Sequence, residues 1–232
     1  MPTSPLARVL AAMENANRRE ARPAPRLVAV GKTREAGDIA SLAAEWTALR
    51  PGAALAFGEN YVQEAAAKVA ALEGSGIEWH LIGHLQSNKA GLAASLFDWV
   101  QSVDRPKLVA ALADARDPAR PPLNVLIQVN VEAEAGKHGC APVEVPALAA
   151  AIAGRPTLAL RGLMAIPEPH PDLEQRRAAF AAMRGLHEAL LADHPGADTL
   201  SMGMSEDYEL AIAEGATMVR IGTALFGPRT AA

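Results

Sequence analysis

The sequence predicts an α/β protein that folds as a single (β/α)8 barrel, also called a TIM barrel. Eight short apolar runs alternate with helical patterns over nearly the whole chain, which indicates parallel βαβ units. The chain has 232 residues, and one such barrel takes about 200–250 residues. No proline- or serine-rich linker divides the sequence, so we expect one domain over residues 1–232. A doubly wound open sheet is the alternative fold.

Each element follows from a local signal. An extra amphipathic helix is predicted at 6–20, because Leu6, Val9, Leu10 and Met13 share one face. Strands are predicted at 27–31, 53–57, 77–82, 99–103, 123–131, 158–164, 199–202 and 217–221. Between them, helices are predicted at 38–49, 61–72, 87–96, 143–153, 173–191 and 205–213, and a further helix begins at Pro106. Asp104 is the predicted N-cap of the helix from Pro106, and Ser205 that of the helix at 205–213.

The composition excludes several classes of partner. A net charge of −4 and 4% aromatic residues argue against a nucleic-acid-binding surface. The single cysteine, Cys140, cannot form an internal disulfide and is typical of a reducing compartment. The sequence shows neither a signal peptide nor an apolar run of membrane-spanning length. We therefore expect a cytoplasmic protein with no membrane and no nucleic-acid partner.

Polar residues and glycines gather where the predicted strands end. In a barrel, the residues just past the carboxyl ends of the strands face a common pocket. The positions chosen on this basis are Lys32, Asn60, Met164, Ser201, Arg220, Gly222 and Thr223.

Lys32 is the most specific of these signals for chemistry, because it directly follows a strand that is predicted to be buried. A partly desolvated lysine at such a place is a usable amine nucleophile. The alternatives are a lysine that extends to solvent, or one that binds a phosphate as a point charge.

The last two strand ends suggest an anion site. Backbone N–H groups of Gly222 and Thr223, with the hydroxyls of Ser201 and Thr223, are suited to a phosphate monoester; tight turns with a helix cap are the alternative. Arg220 lies within an apolar strand and needs an acceptor, either a ligand's ring nitrogen or phosphate, or an internal carboxylate such as Glu59.

No metal site is expected. His80 and His84 are four residues apart, but a glycine separates them at a strand end, and structural or pocket-lining roles fit them better than metal binding.

Six loops together resemble one family. The motifs are VAVGKT at 28–33, FGENYVQE at 57–64, WHLIGHLQSNK at 79–89, RGLMA at 161–165, LSMGMS at 200–205 and MVRIGT at 218–223. In this order they closely resemble the YggS/PROSC family, the pyridoxal phosphate homeostasis proteins, from about Leu27 to Phe226. One departure is Gly31, where the family usually has serine.

The resemblance implies a barrel like the N-terminal domain of alanine racemase, with pyridoxal phosphate as cofactor. Lys32 would carry the cofactor as a Schiff base, and Ser201, Gly222 and Thr223 would bind its phosphate. Arg220 would lie at the pyridine nitrogen, and Asn60 and Met164 complete the predicted cofactor contacts.

The role that the resemblance implies is a non-enzymatic carrier or buffer of pyridoxal phosphate. An arginine at the ring nitrogen leaves that nitrogen unprotonated and the cofactor a weak electron sink. A racemase of the alanine type also needs a tyrosine base from a second domain, whereas only Tyr61 and Tyr208 exist in this chain. We expect a monomer that exchanges cofactor with apo-enzymes, and Lys89 and Lys137 are expected to be solvated surface lysines.

Two enzymatic alternatives stay open at this point. An amino-acid racemase would use Lys32 as one base and Tyr61 or His84 as the other. A phosphosugar aldolase would use the same barrel and lysine without a bound cofactor.

Overall fold

Parallel strands close into a barrel in the computed structural model, which describes residues 4–18, 23–134, 136–168 and 170–228. Within these residues eight strands follow one another around the barrel in chain order, and the last pairs with the first. The predicted (β/α)8 barrel is therefore confirmed, and the open sheet is excluded.

The element bounds are as follows. The strands are β1 (Arg26–Val30), β2 (Ala56–Glu59), β3 (Glu78–Leu81), β4 (Trp99–Val103), β5 (Leu123–Gln128), β6 (Leu158–Met164), β7 (Thr199–Ser201) and β8 (Met218–Ile221). The helices are α1 (Pro5–Arg18), α2 (Ala36–Leu49), α3 (Val62–Ala71), α4 (Ala90–Leu96), α5 (Pro106–Ala115), α6 (Val145–Ala153), α7 (Leu173–Asp193), α8 (Tyr208–Ala213) and α9 (Thr223–Phe226). Single 3₁₀ turns, Ser87–Lys89 and Pro142–Glu144, precede α4 and α6.

Two strands are shifted from their predicted bounds by identifiable hydrogen bonds. The strand predicted from residue 53 begins only at Ala56, since the carbonyl of Ala53 accepts the indole N–H of Trp46 at 2.8 Å. The strand predicted to reach residue 131 ends at Gln128, because the chain beyond it pairs with Cys140. Apolar runs alone do not reveal either partner.

Both predicted N-caps are wrong. The N-cap of α5 is Arg105 rather than Asp104, and that of α8 is Asp207 rather than Ser205. The Ser205 hydroxyl instead accepts the N–H groups of Gly222 and Ala224, both at 3.3 Å. It thus caps α9, a helix that the sequence reasoning did not predict. Residues 19 and 20 of the predicted first helix lie outside the described residues.

The core has two parts. A large apolar layer separates the strands from the helices and includes Leu6, Val9 and Met13 of α1, the predicted extra helix. A smaller cluster fills the interior of the barrel: Val28, Ala56, Trp99, Leu126, Met164 and Met218. Polar side chains share this interior, because side chains alternate between the two faces of each strand.

None of the helices within the described ranges is long and apolar enough to cross a lipid bilayer.

Candidate functional site

A cavity of about 370 Å³ lies at the carboxyl end of the barrel, where β1, β7 and β8 end. This volume falls within the range of about 300–1,000 Å³ that is usual for small-molecule sites. Its walls are formed by Val30, Lys32, Thr33, Arg34, Met204, Ser205, Glu206, Asp207, Arg220, Gly222, Thr223, Phe226 and Gly227.

Lys32 lies in the turn that follows β1, and its side chain is exposed. Its ammonium group has no hydrogen-bond or ion-pair partner among the residues that the structure describes. The expectation of a partly buried lysine is therefore wrong. The backbone of this turn is anchored by a hydrogen bond. The N–H of Thr33, a residue with a positive φ of 64°, donates to the Glu64 carboxylate at 2.9 Å. The amine is free while its backbone is anchored.

The anchor beneath this turn is a buried ionic cluster around Lys68 of α3. The Lys68 ammonium donates to Glu59 at 3.0 Å and to Glu64 at 2.8 Å. It also donates at 2.8 Å to the carbonyl of Gly31, the residue directly before Lys32. Burial raises the pKa of Glu59, although the hydrogen bond and charge of Lys68 act in the opposite direction. Glu59 is thus the partner of Lys68, and the alternative that Glu59 is the acceptor for Arg220 is wrong.

Gly31 fits this cluster closely. A Cβ atom at this position would lie 2.6 Å from Oε1 of Glu59 and 3.2 Å from Cδ1 of Ile39. A side chain here would therefore require the Glu59 carboxylate to shift. This close approach gives a physical reason for glycine at a position where the resemblance leads one to expect serine.

The opposite wall is built by the loops that follow β7 and β8. Gly203 has a φ of +92°, and a Cβ atom there would lie 2.5 Å from Cβ of Ala211, so the loop requires glycine. Its carbonyl accepts the Arg220 N–H at 3.0 Å. On the other side, Arg34 donates to the carbonyl of Gly227 at 2.9 Å. These contacts join the first and last strand ends into one rim.

Arg220 reaches this rim from the barrel interior and is only 3% exposed. Its guanidinium donates to the Ser201 hydroxyl at 2.6 Å and to the Ala165 carbonyl at 2.8 Å. Both acceptors are neutral. Burial lowers the pKa of Arg220 to about 10, with the charge of Asp207 opposing the shift. At neutral pH the group therefore stays a buried cation.

A line of side chains continues from Arg220 through the barrel. The Ser201 hydroxyl donates to Oε1 of Gln101 at 2.7 Å. The amide of Gln101 lies 2.8 Å from Nδ1 of His80, and Nε2 of His80 lies 2.6 Å from the Glu78 carboxylate. We call these five residues the interior hydrogen-bond chain.

The interior hydrogen-bond chain has one consistent donor direction, from the arginine to the carboxylate. Burial lowers the pKa of His80, although Glu78 opposes the shift, so the imidazole is neutral and accepts at Nδ1 while it donates at Nε2. Burial raises the pKa of Glu78, but His80 and Arg26 outweigh it and lower the pKa to about 2. Aligned hydrogen bonds polarise one another. The carboxylate at one end thus helps to balance the buried cation at the other.

The structure brings only part of the predicted site together. Lys32, Arg220, Gly222 and Thr223 line the cavity. Ser201 and Met164 are fully buried below it, and the Ser201 hydroxyl is occupied by Gln101 and Arg220. Asn60 lines a second cavity nearby, together with Lys89. Lys137 forms an ion pair with Glu134.

Several contributing residues were missed by the sequence reasoning: Arg34, Lys68, His80 in its interior role, Gln101 and Ser205. For Gln101 a signal existed, because a glutamine within the strand WVQSV must find a buried partner. Glu64 and Lys68 stand four apart in the predicted helix, which also indicates a pair. Nothing local in the sequence links Ser205 to the helix after β8.

Comparison with known proteins identifies the family. The family model described as alanine racemase, N-terminal domain, matches residues 7–230. A Pseudomonas aeruginosa protein named pyridoxal phosphate homeostasis protein is 53% identical over 203 residues, which cover 88% of this chain and 84% of that protein. The chain belongs to the pyridoxal phosphate homeostasis protein family.

Solved structures agree with this family and its fold. PipY of Synechococcus elongatus, solved with PLP bound, is 36% identical with a TM-score of 0.76, over 94% of this chain and all 100% of that one. An alanine racemase of Clostridium difficile matches 96% of this chain and 57% of its own length at 12% identity, with a TM-score of 0.66. At that identity the likeness concerns the barrel alone.

We expect Gln101→Leu to destabilise the protein by about 1–3 kcal/mol, because it leaves the buried Nδ1 of His80 without a donor and the buried Ser201 O–H without an acceptor. Urea unfolding at pH 7 measures the change. The matched control is Gln63→Leu on the exposed face of α3, which should stay within about 0.5 kcal/mol of the parent. Equal losses for the two variants would contradict the role of the interior hydrogen-bond chain.

Proposed function

We propose that this protein binds pyridoxal phosphate in the cavity at the carboxyl end of the barrel, attached reversibly to Lys32. Its role is pyridoxal phosphate homeostasis, by buffering or delivering the cofactor, without a reaction of its own. The observation that carries the proposal is the free Lys32 amine, which faces the same cavity as Arg220 and Thr223. The names of the curated relatives and the PLP-bound PipY structure support the choice of ligand.

The residues present fit this ligand. When bound, pyridoxal phosphate supplies an aldehyde that a primary amine captures reversibly, beside a phosphate and a pyridine ring. Lys32 supplies an amine that has no partner among the described residues. Because the Gly31 carbonyl and the Thr33 N–H are both anchored, the amine moves on its own side chain while its attachment point stays fixed.

The phosphate is assigned to the loop after β8. Thr223 is exposed on the cavity wall and contributes its hydroxyl and backbone N–H. The N–H of Gly222 donates to Ser205 over a long 3.3 Å hydrogen bond, which an anionic oxygen can replace with a stronger one. Ser201 contributes indirectly by orienting Arg220, since its hydroxyl has two partners already. Direct cofactor contacts of Asn60 and Met164 stay predictions.

Arg220 is assigned to the pyridine nitrogen. Its guanidinium is fixed by Ser201 and Ala165 and lines the cavity. A ring nitrogen that accepts a hydrogen bond from a permanent cation stays unprotonated. The ring then withdraws electrons weakly, which favours storage of the cofactor over carbanion chemistry.

The cavity also lacks the bases that the racemase alternative needs. Its lining within the described residues includes no tyrosine and no histidine. Tyr61 is 65% exposed and Tyr208 is buried in the core, while His84 lines the second cavity. We therefore favour a carrier over a racemase. We also propose that this carrier works as a monomer in the cytoplasm and exchanges cofactor with apo-enzymes.

We expect the purified protein to bind added pyridoxal phosphate with a visible absorption band, and Lys32→Ala to lose that band. The cause is the loss of the only amine on the cavity wall within the described residues. The matched control is Lys107→Ala, which removes an exposed lysine of α5 and should keep the band. A Lys32→Ala protein that keeps the parent spectrum would contradict the proposed attachment.

We further expect no amino-acid racemisation by the loaded protein. Chiral chromatography of L-amino acids incubated with it should give the same rate of D-isomer formation as free cofactor at equal concentration, because the described residues on the cavity wall include no tyrosine or histidine to act as the opposing base. Turnover well above that of the free cofactor would replace the carrier role by the racemase alternative.

A further inference from the structure

We propose that His84, Asp104 and His138 form a binding site for a divalent transition-metal ion of the zinc class, separate from the cofactor cavity. One potential ligand atom from each of the three side chains lies within 4.8 Å of the other two. The Nδ1 atom of His84 is 3.9 Å from a carboxylate oxygen of Asp104. The two imidazole rings stack with their centres 3.7 Å apart.

The topology of the barrel explains why these residues meet. His84 follows β3, Asp104 follows β4, and His138 belongs to the loop after β5. These three strands are neighbours in the barrel, and their carboxyl ends therefore open onto the same patch of the rim. Residues 20 and 34 positions apart in sequence are brought to one point, which no short spacing motif could indicate.

Only small side-chain movements separate the cluster from coordination. Zinc binds imidazole nitrogen and carboxylate oxygen at about 2.0–2.2 Å, so ligand atoms around one ion lie at most about 4 Å apart. Both histidines are exposed, and their rings can tilt from the stacked arrangement without disturbing the core.

The carboxylate is already oriented by a second residue. Arg105 forms an ion pair with Oδ1 of Asp104 and is itself fixed by a hydrogen bond to the Leu85 carbonyl at 2.8 Å. The other oxygen, Oδ2, is the one that faces His84. Such outer partners are typical of metal sites, because they fix the direction of a ligand before the ion arrives.

The backbone that carries the histidines is fixed as well. Gly83, directly before His84, packs so closely against the Asn60 carbonyl that a Cβ atom would clash with it. Gly139, directly after His138, has a φ of +118°, and a Cβ atom there would lie 2.7 Å from the Asn130 nitrogen. Gln128 also donates to the His138 carbonyl at 3.3 Å.

The ligand set selects the class of ion. Two imidazoles and one carboxylate suit Zn²⁺, Co²⁺, Ni²⁺ or Cu²⁺, whereas Mg²⁺ and Ca²⁺ prefer oxygen ligands. The remaining coordination position would face the second cavity, of about 410 Å³, which both histidines line. None of the described residues on its wall also lines the Lys32 cavity. Metal binding and cofactor binding can therefore succeed or fail independently.

The test is a competition titration of tag-free, chelator-stripped protein with Zn²⁺ against a chromophoric zinc chelator. We expect one equivalent of Zn²⁺ to bind, and an excess of Mg²⁺ not to displace it. His84→Ala and His138→Ala should each weaken Zn²⁺ binding by at least about 10–100-fold, the loss seen even for outer-shell partners of metal ligands. Asp104→Asn should act in the same direction.

The matched control is His194→Ala, a histidine at the end of α7, which should bind Zn²⁺ as tightly as the parent. Circular dichroism of each variant verifies that the substitutions leave the fold intact. Substitution with Co²⁺ should give visible bands that both cluster histidine variants lose. Zn²⁺ affinity equal in the parent, His84→Ala and His138→Ala, or no binding of Zn²⁺ by the parent, would overturn the proposal.

Discussion

The buried charge of Arg220 is the constraint on which the rest of the site depends. Transfer of a guanidinium into a barrel interior is costly unless its donors find acceptors, and the nearest acceptors here are a hydroxyl and a carbonyl. The interior hydrogen-bond chain links the buried charge of Arg220 to the opposite charge of Glu78 at the other end of the barrel. It uses the polar interior side chains of β3, β4 and β7, and leaves the guanidinium face at the rim available to a ligand.

The two walls of the cavity differ in how many of their polar groups are used in internal hydrogen bonds. The β7–β8 wall is committed to internal hydrogen bonds through Gly203, Ser205 and Arg220. The β1 wall is anchored from below by Lys68, yet the Lys32 amine has no partner among the described residues. A wall fixed by hydrogen bonds opposite an amine without a partner among the described residues is suited to the reversible binding of an aldehyde ligand. Among the described residues, the cavity wall that faces Lys32 includes no tyrosine and no histidine.

Much of the fold was predictable because the barrel repeats one simple signal. Apolar runs and helix breakers gave all eight strands, although β2 and β5 shifted where Trp46 and Cys140 supplied backbone partners. Lys32, Arg220, Gly222 and Thr223 were found because the strand ends share one rim. Long-range partners were not predictable: the cap by Ser205 and the cluster of His84 with His138 depend on three-dimensional packing that leaves no local pattern.

The attachment at Lys32 is the central claim, and borohydride reduction followed by tryptic peptide mapping tests it most directly. Trypsin does not cleave after a modified lysine, so the account predicts that the cofactor label appears on a peptide spanning residues 27–34 with Lys32 uncleaved. A label found mainly on Lys89 or Lys137, or no label on protein saturated with pyridoxal phosphate, would contradict it.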